Sequence, residues 1–272
     1  MCNNKYILGT TLLILLIKLL AQASLVLDKI KRILFPPACA FCGVATEEYY
    51  SLCTNCWFSV KFIRRNACQS CGSIVQKNTR DTFTTIATQY CSDCIDSGIE
   101  LIPRQVIASI VYDDFSKKFI LRMKNKNDPS LALVFAKFFY EHDFDDLDYI
   151  VPVPSHPFRL WQRTYNQAAL LALSLKHWFP KCPDVRLYIL KRIRYTPKQK
   201  WKNAIEREKN VENSIIVPSS MKKYVKGRRI AIIDDVVASQ STLLECKKAL
   251  KNAGAIEVRC IALAQASVSD VA

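Results

Sequence analysis

The sequence predicts an α/β fold, a parallel sheet flanked by helices, with a small cysteine-rich module ahead of it. Three observations carry that expectation. Four C-x-x-C pairs fall within residues 39–94. After them, short β-rich runs alternate with segments whose apolar residues recur every three or four positions, the pattern of strand–helix–strand units. One run, RRIAIIDD (228–235), is apolar between charged ends, the form of a strand covered on both faces.

The elements follow in chain order. Residues 6–27 (YILGTTLLILLIKLLAQASLVL) are largely apolar, with Lys18 inside the run and Lys29, Lys31 and Arg32 after it. Three readings fit: a membrane-contacting or spanning anchor, a buried helix, or a signal cleaved near Ala21-Gln22-Ala23. Phe35-Pro36-Pro37 closes this extension, which gives boundaries at 1–34, 35–100 and 101–272. The cysteine pairs are Cys39/Cys42, Cys53/Cys56, Cys68/Cys71 and Cys91/Cys94. Each C-x-x-C turn aims two sulfurs at one point, and two turns complete a tetrahedral S4 zinc site. Two zinc ions are therefore expected, shared either by neighbouring pairs or with pairs one and three together. Thiolate ligands suit a reducing compartment, against the alternative of a disulfide-stapled secreted module.

Beyond Pro103 the reading is a strand at 106–112, a helix at 116–124 and a second helix at 131–142 opened by Pro129. An acidic, solvated turn (143–148) precedes a strand at 149–154. A helix at 166–179 is stopped by Pro180, and a central strand spans 228–235. A helix at 241–254 ends on Gly254, and a last strand covers 255–266. In such sheets ligands bind beyond the carboxyl ends of strands. Asp234 and Asp235 lie at that end of the central strand. Paired carboxylates suit ribose hydroxyls, and the hydroxyls of Ser239, Ser241 and Thr242 suit a phosphate; a strand-end turn cap reads equally well.

Composition bounds the function. The chain has 272 residues, is half apolar and holds 13 Phe and 11 Tyr, which argues against an intrinsically disordered chain. Six Gly without a G-X-Y period exclude collagen. A formal charge of +15 favours phosphate-bearing partners, nucleic acid or an anionic membrane. Residues 181–210 concentrate ten Lys/Arg against three acids, with Tyr188, Tyr195 and Trp201 among them. Arg159, Lys198, Lys200, Trp201 and Lys202 are the candidates for single-strand binding, where charge tracks the backbone and bases stack on rings. An ordinary solvated basic face is the alternative. His142 has no partner at metal-ligand spacing, and His156 reads as a surface or packing residue.

The ordered motifs resemble one branch of the type I phosphoribosyltransferases, the ComF family. They are the four C-x-x-C pairs, PVPSHPFRLWQRTYNQ (152–167), TPKQ (196–199), EREKN (206–210) and IAIIDDVVASQSTL (230–243). The resemblance implies a double zinc ribbon fused to a phosphoribosyltransferase-like domain, a cytoplasmic protein of DNA uptake in natural transformation, and the uptake machinery as a partner. It also implies a phosphoribosyl pyrophosphate ligand accompanied by Mg²⁺. Asp234 and Asp235 would hold the ribose diol, Ser239, Ser241 and Thr242 the 5-phosphate, and Arg163 a pyrophosphate or nucleic-acid backbone. The family loop reads D-D-V-x-T-T-G-x-T, but Ala238, Ser239 and Gln240 occupy its Thr-Thr-Gly positions. Likewise Gln162-Arg163-Thr164 replaces Arg-Arg-Gly. Gln240 is expected to need left-handed backbone geometry where glycine would adopt it freely. These departures point to reduced phosphoribosyl pyrophosphate binding and weak or no turnover. The preferred reading is a single-stranded-DNA-binding uptake protein; the alternative is a working phosphoribosyltransferase with an unknown acceptor.

Overall fold

In a computed structural model, residues 23, 26–27, 29–63, 106–125, 128–194, 212–237 and 240–266 are described. The chain divides into two compact units between Cys56 and Trp57. Within the first, residues 29–34 are helical, and Ala38 and Ala45 form an antiparallel bridge. The chain turns tightly between them: Cys39 N–H donates to Val44 O at 2.7 Å, and Gly43 N–H to Cys39 O at 2.9 Å. Gly43 sits at φ +80°, a conformation that only glycine adopts cheaply. Helix α1 (Thr54–Ser59) carries Cys56.

The second unit is built on a sheet of five parallel strands: β1 (Val106–Val111), β2 (Tyr149–Pro152), β3 (Asp184–Val185), β6 (Arg229–Val237) and β7 (Glu257–Gln265). Their spatial order is β1-β7-β6-β2-β3. The predicted central strand is central: Ile230, Ala231, Ile232 and Ile233 of β6 are each fully buried. Period-two alternation sends Ile230 and Ile232 to one face, where Leu243, Cys246 and Leu250 of α7 (Ser241–Asn252) pack. α5 (Gln167–Trp178) packs on β2, β6 and α3 (Leu131–Ala136). Parallel neighbours require crossovers, and β6–α7–β7 is such a unit.

Local chemistry starts the helices. Asp113 and Ser116 cap α2 (Asp114–Asn125) reciprocally: each side chain accepts from the other's backbone N–H at 3.0 Å. His156 caps α4 (Pro157–Arg163), its Nδ1 accepting from Phe158 N–H at 3.2 Å, with Pro157 preset for the first turn. Asn166 caps α5, accepting from Ala168 N–H while its own amide donates to Val153 O at 2.9 Å. That second bond ties the start of α5 to the end of β2.

Four features depart from the sequence reading. The helix expected at 131–142 tightens after α3 into a 3₁₀ turn, Lys137–Phe139. The central strand runs past Asp235 to Val237, so the two carboxylates lie inside β6 rather than at its end. The acidic segment is not merely solvated. Asp146 pairs with Arg229 and Arg259, and Asp148 with Arg228, so the loop neutralises the basic amino ends of β6 and β7. Finally, α4, the four-residue α6 (Lys222–Val225) and the antiparallel pair β4 (Lys191–Arg192) and β5 (Ile215–Ile216) carry no periodicity that marks them.

Candidate functional site

The first unit holds a metal-type cluster. The sulfurs of Cys39, Cys42, Cys53 and Cys56 all lie within 4.8 Å of one another, with Cys42 and Cys53 Sγ 3.5 Å apart. A tetrahedral zinc with Zn–S near 2.3 Å sets its sulfurs about 3.8 Å apart, so the donor set fits. Neighbouring pairs one and two therefore come together. Burial alone would raise the Cys39 thiol, but backbone N–H groups of Cys42, Cys53 and Phe41 bring it down to about 6. Burial and the adjacent sulfurs push Cys56 up, because four thiolates cannot ionise together without a cation. Cys68, Cys71, Cys91 and Cys94 lie outside the described residues.

The second unit gathers charge near the carboxyl end of β6. Pro152 is in register with Ile233, and Val153 N–H donates to Ile233 O at 2.9 Å, so the chain entering α4 leaves the sheet beside Asp234. Asp235 is ion-paired with Lys124 at the end of α2, Nζ to Oδ2 2.9 Å, with side chains only 14% and 10% exposed. Burial and the neighbouring Asp235 carboxylate push Asp234 up to about 7, against the pull of Lys124 and Arg192. Arg192 of β4 is buried; desolvation lowers its pKa, as does repulsion from Arg159, while Asp234 opposes. Burial therefore favours the neutral form of Asp234, while Asp235 is engaged by a lysine.

The loop before α7 is where the residue exchange shows. Gln240 precedes α7 at φ +56°, ψ −15°, the left-handed geometry expected from its glycine position. Thr164, at the other exchanged glycine, ends α4 at φ +63°. Ser241 and Thr242 open α7, part-buried. Ser239 lies outside the described residues, as do Lys198, Lys200, Trp201 and Lys202. Arg159 and Arg163 lie on α4, and Arg163 Nη1 reaches Gln167 Oε1 at 3.5 Å. Among the described residues His142 joins no metal-type cluster: it is half-buried beside Phe139 and Phe144, with Nε2 3.0 Å from Ser109 Oγ.

Sequence reasoning missed Lys124 and Arg192, which sit 110 and 42 residues before Asp234. Lys124 had a signal: it shares a helix face with Ile120 and Met123, a lysine on an apolar stripe.

A parallel α/β domain with a paired-carboxylate strand end, joined to a thiolate metal module, defines a phosphoribosyltransferase-type protein with a cysteine ribbon. A phosphoribosyl transferase domain model matches residues 129–270 and a double zinc ribbon domain model residues 30–95. The chain belongs to the phosphoribosyl transferase domain family, in the ComF branch that joins this domain to a double zinc ribbon. It is 29% identical over 223 residues to Competence protein F of Haemophilus influenzae, covering 79% of this chain and 90% of that one. It is 34% identical over 116 residues to the DNA utilization protein YhgH of Salmonella typhi and of Escherichia coli, covering 42% of this chain and 48% of each relative. Among solved structures, the glutamine phosphoribosylpyrophosphate amidotransferase of B. subtilis superposes with a TM-score of 0.32 at 19% identity. That match covers 48% of this chain and 25% of the amidotransferase. The purine phosphoribosyltransferase of Pyrococcus horikoshii superposes with a TM-score of 0.29 at 16% identity, covering 60% and 79% of the two chains. Among the described residues, no helix is long and apolar enough to cross a membrane; residues 6–22 lie outside them.

Proposed function

We propose that this protein serves DNA uptake or processing as a binding protein, holding single-stranded DNA on a basic surface, with a phosphoribosyl seat of reduced affinity. The observation that carries the reading is Gln240. A left-handed backbone before α7 is kept, but a side chain stands where the family's glycine leaves bare backbone for phosphate. The Lys124–Asp235 ion pair adds to it, since a ribose diol would have to displace a largely buried lysine. The names of the relatives, Competence protein F and DNA utilization protein, support the biological setting.

Within this reading the cluster of Cys39, Cys42, Cys53 and Cys56 takes one zinc, which supplies a fold-fixing cross-link. Cys68, Cys71, Cys91 and Cys94 take the second. Magnesium would arrive with a pyrophosphate-bearing ligand, because the free site already neutralises one carboxylate with Lys124. The segments 1–34, 35–100 and 101–272 act as extension, ribbon and transferase-type domain, in the cytoplasm, with residues 6–27 as a membrane contact.

The test is equilibrium binding of a labelled oligothymidylate to the zinc-loaded full chain. Affinity should fall steeply, by at least about tenfold, between roughly 50 and 200 mM salt, because several phosphates are neutralised. Affinity that is absent, or flat across that range, contradicts the proposal.

A further inference from the structure

We propose that α4 presents a base-stacking ledge, made by Phe158 and Trp161, on which single-stranded DNA lies beside the carboxylate site; this rests on the DNA-binding reading above. Trp161 is 80% exposed and Phe158 45%, in a helix whose start is fixed by the His156 cap and Pro157. The two rings stand one helical turn apart, centroids 6.2 Å and planes 34° from each other, so they offer apolar faces on one side of α4. A tryptophan of that size left in water is unfavourable unless another ring or surface covers it.

The surroundings select the occupant. Arg159 lies between the two aromatics in sequence and is near enough to Arg192 for the two cations to repel. Arg192 in turn feels Asp234, so α4, Arg192 and the end of β6 border one region. Lys124 offsets the Asp235 carboxylate there, and burial favours the neutral form of Asp234, so the cations meet little opposing charge. Aromatic faces next to guanidinium groups are the recognition chemistry of single strands: the rings stack on bases and the cations follow the backbone. A lipid surface would call for a broader aliphatic face, whereas α4 exposes Pro157 and Leu160, the latter 36% exposed.

The experiment compares the zinc-loaded full chain with Trp161→Ala and Trp161→Phe by anisotropy, using an oligothymidylate of about 12 nucleotides and an abasic oligomer of equal length. Trp161→Ala should bind thymidylate about tenfold more weakly, and Trp161→Phe within about threefold of the parent. The abasic strand should bind the parent and Trp161→Ala alike. Trp161 is exposed, so thermal unfolding of the variants should match the parent. Unchanged thymidylate affinity in Trp161→Ala overturns the ledge while leaving DNA binding intact. No binding by the parent removes the DNA reading itself. A Trp161-dependent blue shift with phosphatidylglycerol vesicles, without any thymidylate dependence on Trp161, assigns the ledge to lipid and also overturns the proposal.

Discussion

Gln240→Gly changes one residue and tests both backbone strain and the anion seat. A non-glycine residue in left-handed geometry costs about 1–2 kcal/mol, and Gln240 is held at φ +56°. Glycine returns about 0.5–1 kcal/mol of that through the entropy of the unfolded chain. It also stands better than glutamine at a helix N-cap, so the net gain expected is about 1 kcal/mol. Gln240→Ala keeps the strained backbone and removes the side chain, so it should stay within about 0.5 kcal/mol of the parent. Urea unfolding at fixed zinc should move the Gly midpoint up by about 0.4 M at a slope near 2.5 kcal/mol per molar. Phosphoribosyl pyrophosphate with magnesium should then raise the melting temperature of the Gly variant more than that of the parent. A Gly variant no more stable than the Ala variant, at unchanged slope, refutes the strain argument. Equal ligand shifts in parent and Gly variant refute the link between strain and the seat.

Three further outcomes are expected. Lys124→Met strands the Asp235 carboxylate beside Asp234 and should cost about 2–3 kcal/mol in urea unfolding, most of it recovered in the double variant with Asp235→Asn. Burial lowers His142 from 6.5 to about 4, so between those values the unfolded chain takes up a proton that the folded chain refuses. Stability is therefore lost as pH falls through that window, by about 3 kcal/mol at pH 4. Asp234, raised by burial, works in the opposite direction, so the His142 contribution is read as the difference between the parent and His142→Gln, which should shrink by that amount from pH 7 to 4. Elemental analysis should give two zincs for the parent and one for Cys39→Ser; equal contents would contradict the Cys39, Cys42, Cys53 and Cys56 assignment.

The fold was legible wherever burial imposes a period. The run IAII, bounded by charge, has the form of a strand covered on both faces, and Ile230 to Ile233 are fully buried. The helices α2, α5 and α7 repeat apolar residues on one face, and the polar caps of α2 and α5, Asp113 and Asn166, stand in the sequence. The short pieces were not legible: β4 and β5 are two residues each, too brief for any alternation, and their pairing is made by the tertiary fold. For α4, the large residues that would signal an apolar face are those left in water, so the stripe is inverted. At the site, the Asp pair and the two displaced glycines could be read directly because they are local. Lys124 stands out locally as a lysine on an apolar stripe, but its carboxylate partner does not, and Arg192 gives no signal, since only the crossovers bring residues 124, 192 and 234 together.

In the proposed reading the transferase fold serves binding, with its phosphate seat impaired. The most direct measurement is pyrophosphate release from magnesium-bound phosphoribosyl pyrophosphate by the zinc-loaded full chain, with single-stranded DNA both absent and present. Release no faster than without protein, alongside salt-sensitive binding of the DNA, is the predicted result. Release that saturates with ligand and is abolished by Asp235→Asn would contradict it.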